Sequence, residues 1–517
     1  MSNIESTEKV TDSDNSQTRF VSTFSERLYQ PVPNDWLVFY RVSFGVIMTW
    51  FAVKYILFQI VDYQYILPSF HFTYYGFDWI RPWPLTIDFD GTTLHGMHIH
   101  FYVLALLSIL ITIGLRYRLA AFLYAIAFTY VFLLDKTYYQ NHYYLVTILS
   151  ILLPFLPANR SLSFDALSHR EIRTRQTAVW TLWLMRFVIG LPYVFGGIAK
   201  LNGDWLRGQP MRYALANKAD LPFVGGPWFT EEWFVQCFVW GGLIFDLAVV
   251  PMLLWKPTRR FAFLAAICFH LTNALVWPIG IFPWLMILAT TVYLEPDWPR
   301  RLFASIRGKR YQTSSLQSVV APPRWQQRIL VVLLVAFGTF HILMPFRHFI
   351  LPGNPSWNEY AHHFSWHMLV RGKVSALRIY VTDSQTGVTK CVNPAHHGMT
   401  GKQYAVATRD PRMIHQMCRH IHDDLLARGY GDLELRVLAL VSLNGRRPQM
   451  MIDPAVNLAA EVRTWKFSKW IVPLKEPFRH QAWDLPVDQW EQHLTLELPA
   501  QLQIGRHSSN QRANAVR

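Results

Sequence analysis

Residues 178–199 read AVWTLWLMRFVIGLPYVFGGIA, with Arg186 as the only charged side chain. About 20 mostly apolar residues are enough for an α-helix to cross the hydrocarbon core of a bilayer. Comparable runs recur along the first two thirds of the chain, near 36–61, 100–115, 119–134, 143–158, 233–255, 261–277, 279–294 and 329–345. The sequence therefore predicts an all-α polytopic membrane bundle of about nine transmembrane helices. Eight is the alternative, because several runs fall short of a full span.

The composition favours the same class of protein. Of the 517 residues, 51% are hydrophobic and only 16% are charged, whereas about 25% are charged in a typical soluble domain. This balance excludes a disordered chain, a coiled coil and an ordinary soluble enzyme. The net charge of +15 would suit a nucleic-acid ligand, but the excess lies mostly in short loops between apolar runs. A lipid bilayer is therefore expected as a partner, and nucleic acid is not.

The basic residues predict how the chain crosses the membrane, because cytoplasmic loops are enriched in Lys and Arg. With the polar segment 1–35 in the cytoplasm, the loops on that side carry nineteen Lys and Arg residues and the opposite loops carry six. Nine spans then place everything after about residue 346 outside the cytoplasm, in a bacterial periplasm or a eukaryotic lumen. Residues 1–35 show no signal-peptide pattern, so the first span would start insertion.

The last third predicts an exported α+β domain over 346–503, which follows the transmembrane domain over 36–345. Apolar residues alternate in 377–381 and 435–443, as is typical of strands, and 449–452 could form a further short strand. A helical pattern covers 411–428. Residues 504–517 are polar and basic, which predicts a disordered tail. Whether Cys391 and Cys418 of this domain pair is left open.

Lys200 is the most informative ionisable residue. It ends the fifth apolar run on the predicted outer side, shortly after the pair Gly196 and Gly197. A lysine at a helix end commonly extends its amine into the membrane interface. The alternative is a desolvated amine that acts as a base, and the two glycines favour it because they let a helix or a ligand approach closely.

Other polar residues converge on the same outer side. His142 begins the fourth span in a Tyr-rich segment, and His270 and Asn273 share a helix face in the seventh span. Asp246 lies within the sixth span, where an ionisable side chain is costly and points to a function. The simpler interpretation is that these residues only pair within the bundle or anchor it. The sequence lacks the common motifs of zinc sites, phosphate-binding loops and serine or cysteine nucleophiles, so no metal is expected.

Several blocks, taken in order, resemble the vitamin K-dependent gamma-glutamyl carboxylase family within the wider HTTM membrane superfamily. The first is 40–45 (YRVSFG), the second is 135–145 around Asn141 and His142, and the strongest is 196–201 (GGIAKL) with Asp204 and Trp205. Further matches follow at 240–246, 269–273, 279–280, 295–300, 356–357, 364–366 and 453–454. The resemblance covers roughly residues 36–475.

The resemblance implies a membrane-embedded lyase with a reduced vitamin K-type naphthoquinone as cofactor and oxygen and carbon dioxide as co-substrates. In this family, oxygenation of the hydroquinone to its epoxide is coupled to carboxylation of glutamate in a protein or peptide. Lys200 would be the base, and His142 would assist oxygenation. The resemblance further implies that four residues support the quinone site, namely Asn141, Asp246, His270 and Asn273. It also implies that Trp366 and His367 bind the substrate.

Two departures concern the glutamyl substrate. Animal members have a tyrosine two residues before the Phe-Ser-Trp block, where this chain has His362 and His363. Animal members also have a further exported segment that is missing here, which favours a bacterial-type member. Two alternatives therefore stay open. One is a quinone epoxidase that acts on another substrate or without carboxylation, and the other is a non-catalytic quinone-binding membrane protein.

The predicted topology can be tested with single cysteines in a cysteine-free background in intact cells. Cysteines at Thr174 and Ser314 should be shielded from a membrane-impermeant thiol reagent, because both lie in basic loops on the predicted cytoplasmic side. A cysteine at Ser384 should be labelled, because it lies in the predicted exported domain. Labelling at Ser314 from outside would contradict the nine-span topology.

Overall fold

Seven helices are long and apolar enough to cross a membrane in the computed structural model, which describes residues 26–311 and 319–503. All seven coincide with predicted spans, so the prediction of an apolar helical bundle is confirmed. The other two predicted spans, 143–158 and 279–294, form the shorter apolar segments Asn141–Phe155 and Phe282–Tyr293. The predictions for residues 1–25, for Ser314 and for the tail 504–517 lie outside the described residues.

The helices and strands are numbered separately along the chain. The helices are α1 (Asp35–Leu57), α2 (Gly96–Ile113), α3 (Tyr117–Leu134), α4 (Asn141–Leu152), α5 (Phe164–Ser168), α6 (Val179–Lys200), α7 (Gly203–Leu206), α8 (Met211–Ala216), α9 (Glu232–Leu254), α10 (Arg259–Val276), α11 (Phe282–Thr290), α12 (Trp298–Ile306), α13 (Arg324–Phe346), α14 (Pro355–Asn358), α15 (Gly401–Ala407), α16 (Pro411–Ala427) and α17 (Trp490–His493). The strands are β1 (Pro31–Pro33), β2 (Thr86–Phe89), β3 (Thr92–His95), β4 (Gln176–Ala178), β5 (Lys373–Asp383), β6 (Thr389–Val392), β7 (Leu433–Leu443) and β8 (Gln449–Met450).

The bundle is held together by close backbone approach and aromatic packing. α1 lies against α2 at Gly45, where an added Cβ would come within 2.8 Å of the Ser108 carbonyl oxygen. Nearby, the rings of Tyr55 and Phe101 stack with their centroids 5.0 Å apart. Large apolar side chains remain exposed on the outer faces of the helices, as expected where a helix faces lipid, and examples are Trp50, Phe122 and Leu333.

Two arginines within predicted spans serve the bundle itself. Arg41 is completely buried and donates to the Ala158 carbonyl at 2.8 Å. Arg186 donates to the Val292 carbonyl at 3.0 Å. Both guanidinium groups therefore satisfy carbonyl oxygens in turns between helices, where the backbone has no helical partner of its own. For these two residues the structure supports the simpler interpretation of pairing within the bundle.

Contacts between helix ends define two opposite faces of the bundle. At one face Arg300 binds Asp35 at the start of α1, and Arg259 binds Glu295. These residues lie next to the loops that the basic residues assign to the cytoplasm. At the other face the segments that follow α1, α3 and α6 contact the C-terminal part of the chain.

The C-terminal part is built on a four-stranded antiparallel sheet in the order β6-β5-β7-β8. β5 and β7 pair over their full lengths, from Lys373 opposite Leu443 to Asp383 opposite Leu433. β7 is buried on both faces, because its odd-numbered residues pack with α16 and its even-numbered apolar residues pack with α17. This double burial explains the nearly unbroken apolar run of β7.

The predicted strands near 377–381, 435–443 and 449–452 and the predicted helix over 411–428 are confirmed as β5, β7, β8 and α16. Sequence analysis missed β6 and the short antiparallel pairs β1–β4 and β2–β3. Cys391 and Cys418 do not form a disulfide. Both are free thiols, and Cys391 is exposed whereas Cys418 is buried.

Asp135, between α3 and α4, joins the bundle to the C-terminal part. Its buried carboxylate accepts a hydrogen bond from Gln403 Nε2 at 2.7 Å and lies 3.2 Å from His71 Nδ1. The two parts also exchange core side chains, because Phe72 packs in the C-terminal core and Trp366 packs in the bundle core. The junction is therefore as buried as the cores on either side of it.

Replacing Asp135 by alanine should destabilise the whole protein. Loss of this carboxylate leaves one N–H of the buried Gln403 amide without an acceptor, while the other still donates to the Phe70 carbonyl. A buried unpaired donor costs about 1–3 kcal/mol. The melting temperature of the purified protein should therefore fall. Asp88→Ala is the matched control, because Asp88 is exposed and its carboxylate accepts a hydrogen bond from Thr93 at the surface. Equal melting temperatures for the two variants would show that the junction does not stabilise the fold.

Candidate functional site

Lys200 lies at the C-terminal end of α6, where two glycines permit unusually close packing. An added Cβ at Gly197 would come within 2.7 Å of Leu247 Cδ2 on α9, and one at Gly196 within 2.8 Å of Met368 Cε. Larger residues at these positions would push α9 and the 366–369 segment away from α6. The glycine pair therefore brings both elements against the end of the helix that carries the lysine.

The amine of Lys200 is enclosed, and it is not extended towards an interface. Lys200 and Asp246 are only 4% and 2% exposed and form a buried ion pair through Nζ and Oδ2. The amine also lies 3.4 Å from the Gly196 carbonyl oxygen and 5.2 Å from the centre of the Trp205 ring. A lysine and an aspartate from two membrane helices thus compensate each other's charge within the bundle.

Trp205 covers this pair and is itself held from two sides. Its indole Nε1 donates to the Val239 carbonyl on α9 at 3.0 Å. The preceding residue, Asp204, accepts bidentate hydrogen bonds from Arg446 at 2.6 and 2.7 Å and a third from Asn444 at 2.8 Å. Burial alone would raise the pKa of Asp204, but the bonds from Arg446 and Asn444 outweigh it and lower this pKa. The turn after β7 therefore anchors the residues that cover Lys200.

His142 and His270 both lie against one aromatic ring, that of Phe282. The Phe282 ring lies 5.6 Å from the imidazole of His142 and 5.7 Å from that of His270. His270 Nε2 also lies 2.6 Å from the Tyr193 hydroxyl. Both histidines are buried, and His270 Nδ1 has no hydrogen-bond partner among the described residues. Asn273 lies one turn further along α10 and is half-buried.

Asn141 connects the start of α4 with the 366–369 segment. Its amide donates to the His367 carbonyl at 3.3 Å and accepts from the Tyr139 hydroxyl at 3.0 Å. His367 lines a cavity of about 450 Å³ beside the end of α6. Trp366 is only 1% exposed and packs on Tyr144 with ring centroids 5.0 Å apart. Its ring has no open face in this conformation, and a substrate-binding role for it stays a prediction.

A second, larger cavity of about 510 Å³ lies between the bundle and the C-terminal part. Sequence analysis missed it, because its lining comes from five separate parts of the chain and none of them carries a local motif. They are the segments 136–139, 210–218, 359–374 and 406–413 and the single residue Trp277. The cavity lies next to His142 and His270, which we call the histidine cluster. Its lining residue Tyr139 binds Asn141, and its lining residue Trp277 follows directly after α10. We call it the basic cavity, because most of its charged lining residues are Lys or Arg.

Two family models match the chain, one after the other along the sequence. The HTTM domain matches residues 29–298, and the lumenal domain of vitamin K-dependent gamma-carboxylase matches residues 326–477. The chain belongs to the vitamin K-dependent gamma-carboxylase family. The first match contains Lys200, Asp246, His142 and His270, and the second contains the 366–369 segment and Arg446. No solved structure matches the chain.

Membership of the gamma-carboxylase family implies a vitamin K cofactor, and the residues around Lys200 fit such a group. A naphthoquinone is a flat apolar ring with oxygen atoms at its edge. The stacked rings of Phe245 and Phe269, 4.0 Å apart, supply an aromatic surface next to His270. His270 Nδ1, which has no hydrogen-bond partner among the described residues, offers a buried polar atom to an oxygen, and the Lys200–Asp246 pair adds two buried polar groups.

The basic cavity also contains three possible metal-binding side chains. Ligand atoms of Glu359, His363 and Asp410 lie within 4.8 Å of one another. Both carboxylates are already occupied, because Glu359 binds Lys373 at 2.5 Å and Asp410 binds Lys136 at 2.7 Å. A divalent cation would have to displace two buried ammonium groups, so this arrangement favours ion pairing over metal binding.

The anchor of Trp205 can be tested with a double-mutant cycle of Asp204→Asn and Arg446→Gln. The bidentate pair is largely buried, so the two residues should show a coupling energy of about 1–3 kcal/mol in unfolding measurements. The control pair is Arg212 and Glu232, whose carboxylate is half exposed and whose coupling should stay below about 1 kcal/mol. A coupling near zero in the first pair would exclude it as an anchor.

Proposed function

We propose that this chain is a membrane enzyme that couples oxygenation of a reduced naphthoquinone to its epoxide with carboxylation of glutamate in a protein or peptide. The observation that carries the proposal is the buried Lys200–Asp246 pair beneath Trp205 in a bundle of the gamma-carboxylase family. An amine held at this place, away from water, is suited to take a proton from a weakly acidic phenol-like group.

Asp246 would keep an unprotonated form of Lys200 accessible. An ammonium beside a carboxylate and an amine beside a carboxylic acid have the same net charge, so the pair can exist in either form. In a poorly solvated site, such forms differ far less in energy than a charged and an uncharged lysine would. In the amine form Lys200 Nζ would take the proton from a bound phenol, and the phenolate would balance the positive charge that the pair then carries.

The histidine cluster would orient the bound ring and stabilise charge. A reduced naphthoquinone supplies, when bound, the ring whose oxidation drives removal of the glutamate proton. His270 would donate from its free Nδ1, and Tyr193 would fix the orientation of its ring. His142, which lies against the Phe282 ring, would stabilise developing charge. Asn141 would keep the 366–369 segment over the site through the His367 carbonyl.

The arrangement of helix ends supports a nine-pass topology with the C-terminal part outside the cytoplasm. The segments after α1, α3 and α6 lie on the face that carries the C-terminal part. The loops before α10 and after α11 lie on the opposite face, with the start of α1. Successive loops thus alternate between the two faces. This alternation requires the shorter segments Asn141–Phe155 and Phe282–Tyr293 to count as passes. The same alternation places Lys200, the start of α4 and the basic cavity on the outer side.

Two alternatives differ from the proposal in the chemistry that comes after quinone oxidation. A quinone epoxidase would keep the Lys200 chemistry but would use no glutamyl substrate, and a quinone-binding protein would need no base. The buried Lys200–Asp246 pair favours an enzyme over a binding protein, because binding of a neutral quinone does not require a buried proton acceptor. Epoxide formation without labelled carbon dioxide in a glutamyl peptide would favour the epoxidase.

Lys200→Ala should abolish both epoxide formation and carboxylation, since loss of a positioned base costs about 10²–10⁴ in rate. Lys200→Arg should fail almost as completely, because a guanidinium stays protonated at working pH. A small exogenous amine should partly restore Lys200→Ala, and more so as the pH approaches the pKa of that amine. His142→Ala should lose rate without amine rescue. The measurements are epoxide by chromatography and peptide-bound label from bicarbonate.

Lys54 provides the matched control, since it also lies near the end of a membrane helix and is half-buried. Lys54→Ala and Lys54→Arg should both keep near-normal turnover. Near-normal turnover in Lys200→Arg, with the protein folded and membrane-inserted, would show that Lys200 has only a structural role. The proposed mechanism would then be wrong even if the chain proved to be a carboxylase.

A further inference from the structure

The charged lining of the basic cavity is not explained by the fold or by the quinone site. Five basic side chains face this space but only two acidic ones, which leaves three positive charges in excess. The basic residues are Lys136, Lys218, Arg371, Lys373 and Arg409, and the acidic residues are Glu359 and Asp410. An excess of this size in a partly enclosed space attracts anions.

The ion pairs inside the cavity leave several cations uncompensated. Asp410 is taken up by Lys136, and the carboxylate of Glu359 is shared by Lys373 and Arg371. Lys218 and Arg409 make no ion pair within residues 26–311 and 319–503. Glu359 uses only Oε1 for its contacts with Lys373 and Arg371, and these two cationic partners together exceed its single negative charge.

The pKa values of three lining residues are lowered mainly by burial and further by neighbouring cations. Burial, with a contribution from Arg371, lowers the pKa of Lys373 to about 8 in spite of its bond to Glu359. Burial and the nearby Arg371 also lower the pKa of Arg409. Burial and Lys136 push the pKa of His363 well below its usual range, which leaves this imidazole neutral. An anion between these groups would relieve their mutual repulsion.

The remaining lining suits an aliphatic chain that carries the anion. Leu369, Val406 and Met413 supply apolar surface, and Trp277 and Tyr139 supply aromatic surface. Tyr139 binds both the Asn141 side chain and the Phe364 N–H, so the cavity borders the proposed quinone site directly. The space is therefore suited to an anionic side chain that reaches in beside that site.

We propose that the basic cavity binds a geminal dicarboxylate, the malonate-like group created when a glutamyl side chain is carboxylated, in preference to a monocarboxylate. The charge preference follows from the cavity alone, whereas the assignment to a carboxylated side chain rests on the proposed function.

The charge of the reacting side chain matches the cavity from the first proton transfer onward. A glutamyl side chain carries one negative charge, and loss of a γ proton to a base leaves a carbanion with two. The carbanion's electron pair then forms the new carbon–carbon bond to neutral carbon dioxide, and one C–O π bond becomes the second carboxylate. The total stays at two, so fixed positive charge stabilises the carbanion and the product relative to the substrate.

The test measures binding to the full chain in lipid nanodiscs without quinone, by isothermal titration calorimetry. Malonate should bind about tenfold more tightly than propionate, because its second carboxylate gains its own charge-assisted contacts. Two otherwise identical peptides, one with glutamate and one with γ-carboxyglutamate, should show the same order. Because no turnover is needed, the result is independent of whether the protein carboxylates.

The variants address the unpaired cations. Arg409→Gln and Lys218→Gln should each weaken malonate binding severalfold and propionate binding less, because neither removes an ion pair that the fold uses. Lys390→Gln is the control, since Lys390 is an exposed lysine on β6 of the same part of the protein and should bind malonate normally. Lys218 lies in a loop, so Lys218→Gln tests the cavity even if Arg409→Gln is unstable.

Equal affinities for malonate and propionate, or no binding of either by folded protein, would overturn the dicarboxylate preference. Preference for malonate without any difference between the two peptides would overturn the assignment to a carboxylated side chain and would point to a small free dicarboxylate. A protein that prefers malonate but forms no carboxylated peptide would leave the charge preference standing and contradict the proposed function.

Discussion

The buried ion pair between Lys200 and Asp246 is the interaction on which the rest of the site depends. A single charge inside a membrane bundle costs several kcal/mol, so neither side chain could remain there charged without the other. The close approach of α6 and α9 at Gly197 brings the two together, and Trp205 keeps water from the amine. Together these features hold a compensated ion pair in an apolar region.

The C-terminal part acts on this site from outside the bundle. Arg446, in the turn after β7, holds Asp204 and so the neighbouring Trp205, and Asp135 ties the opposite side of the junction to Gln403. These contacts are charged or fully buried, and buried contacts of that kind specify one docking geometry because a shifted geometry would leave their polar atoms unpaired. The C-terminal sheet therefore also determines how closely Trp205 covers Lys200.

The sequence was sufficient for the helical class, for three of the four strands of the main sheet and for naming the polar residues around Lys200, because these depend on local periodicity and on contiguous blocks. Lys200, Asp246, His142 and His270 could be named because each lies in an apolar run where a polar residue is conspicuous. The basic cavity could not be predicted, because Lys136, Arg371 and Arg409 are ordinary charges in polar loops until the fold brings them together. Similarly, no local pattern singles out Arg446, because its partner Asp204 precedes it by more than two hundred residues.

The segment 359–371 links the two sites, and its backbone shows that the link is imposed by its surroundings. Five of its residues that are not glycine have positive φ angles between +57° and +63°, namely Glu359, Ala361, Phe364, Trp366 and Leu369. Such conformations cost roughly 1–2 kcal/mol each, and they persist only where the surrounding structure determines them. Here Trp366 packs in the bundle core and Tyr360 packs in the C-terminal core. Glu359 forms ion pairs with Arg371 and Lys373. The strained conformations therefore concentrate where the bundle core, with its buried Lys200–Asp246 pair, adjoins the basic cavity.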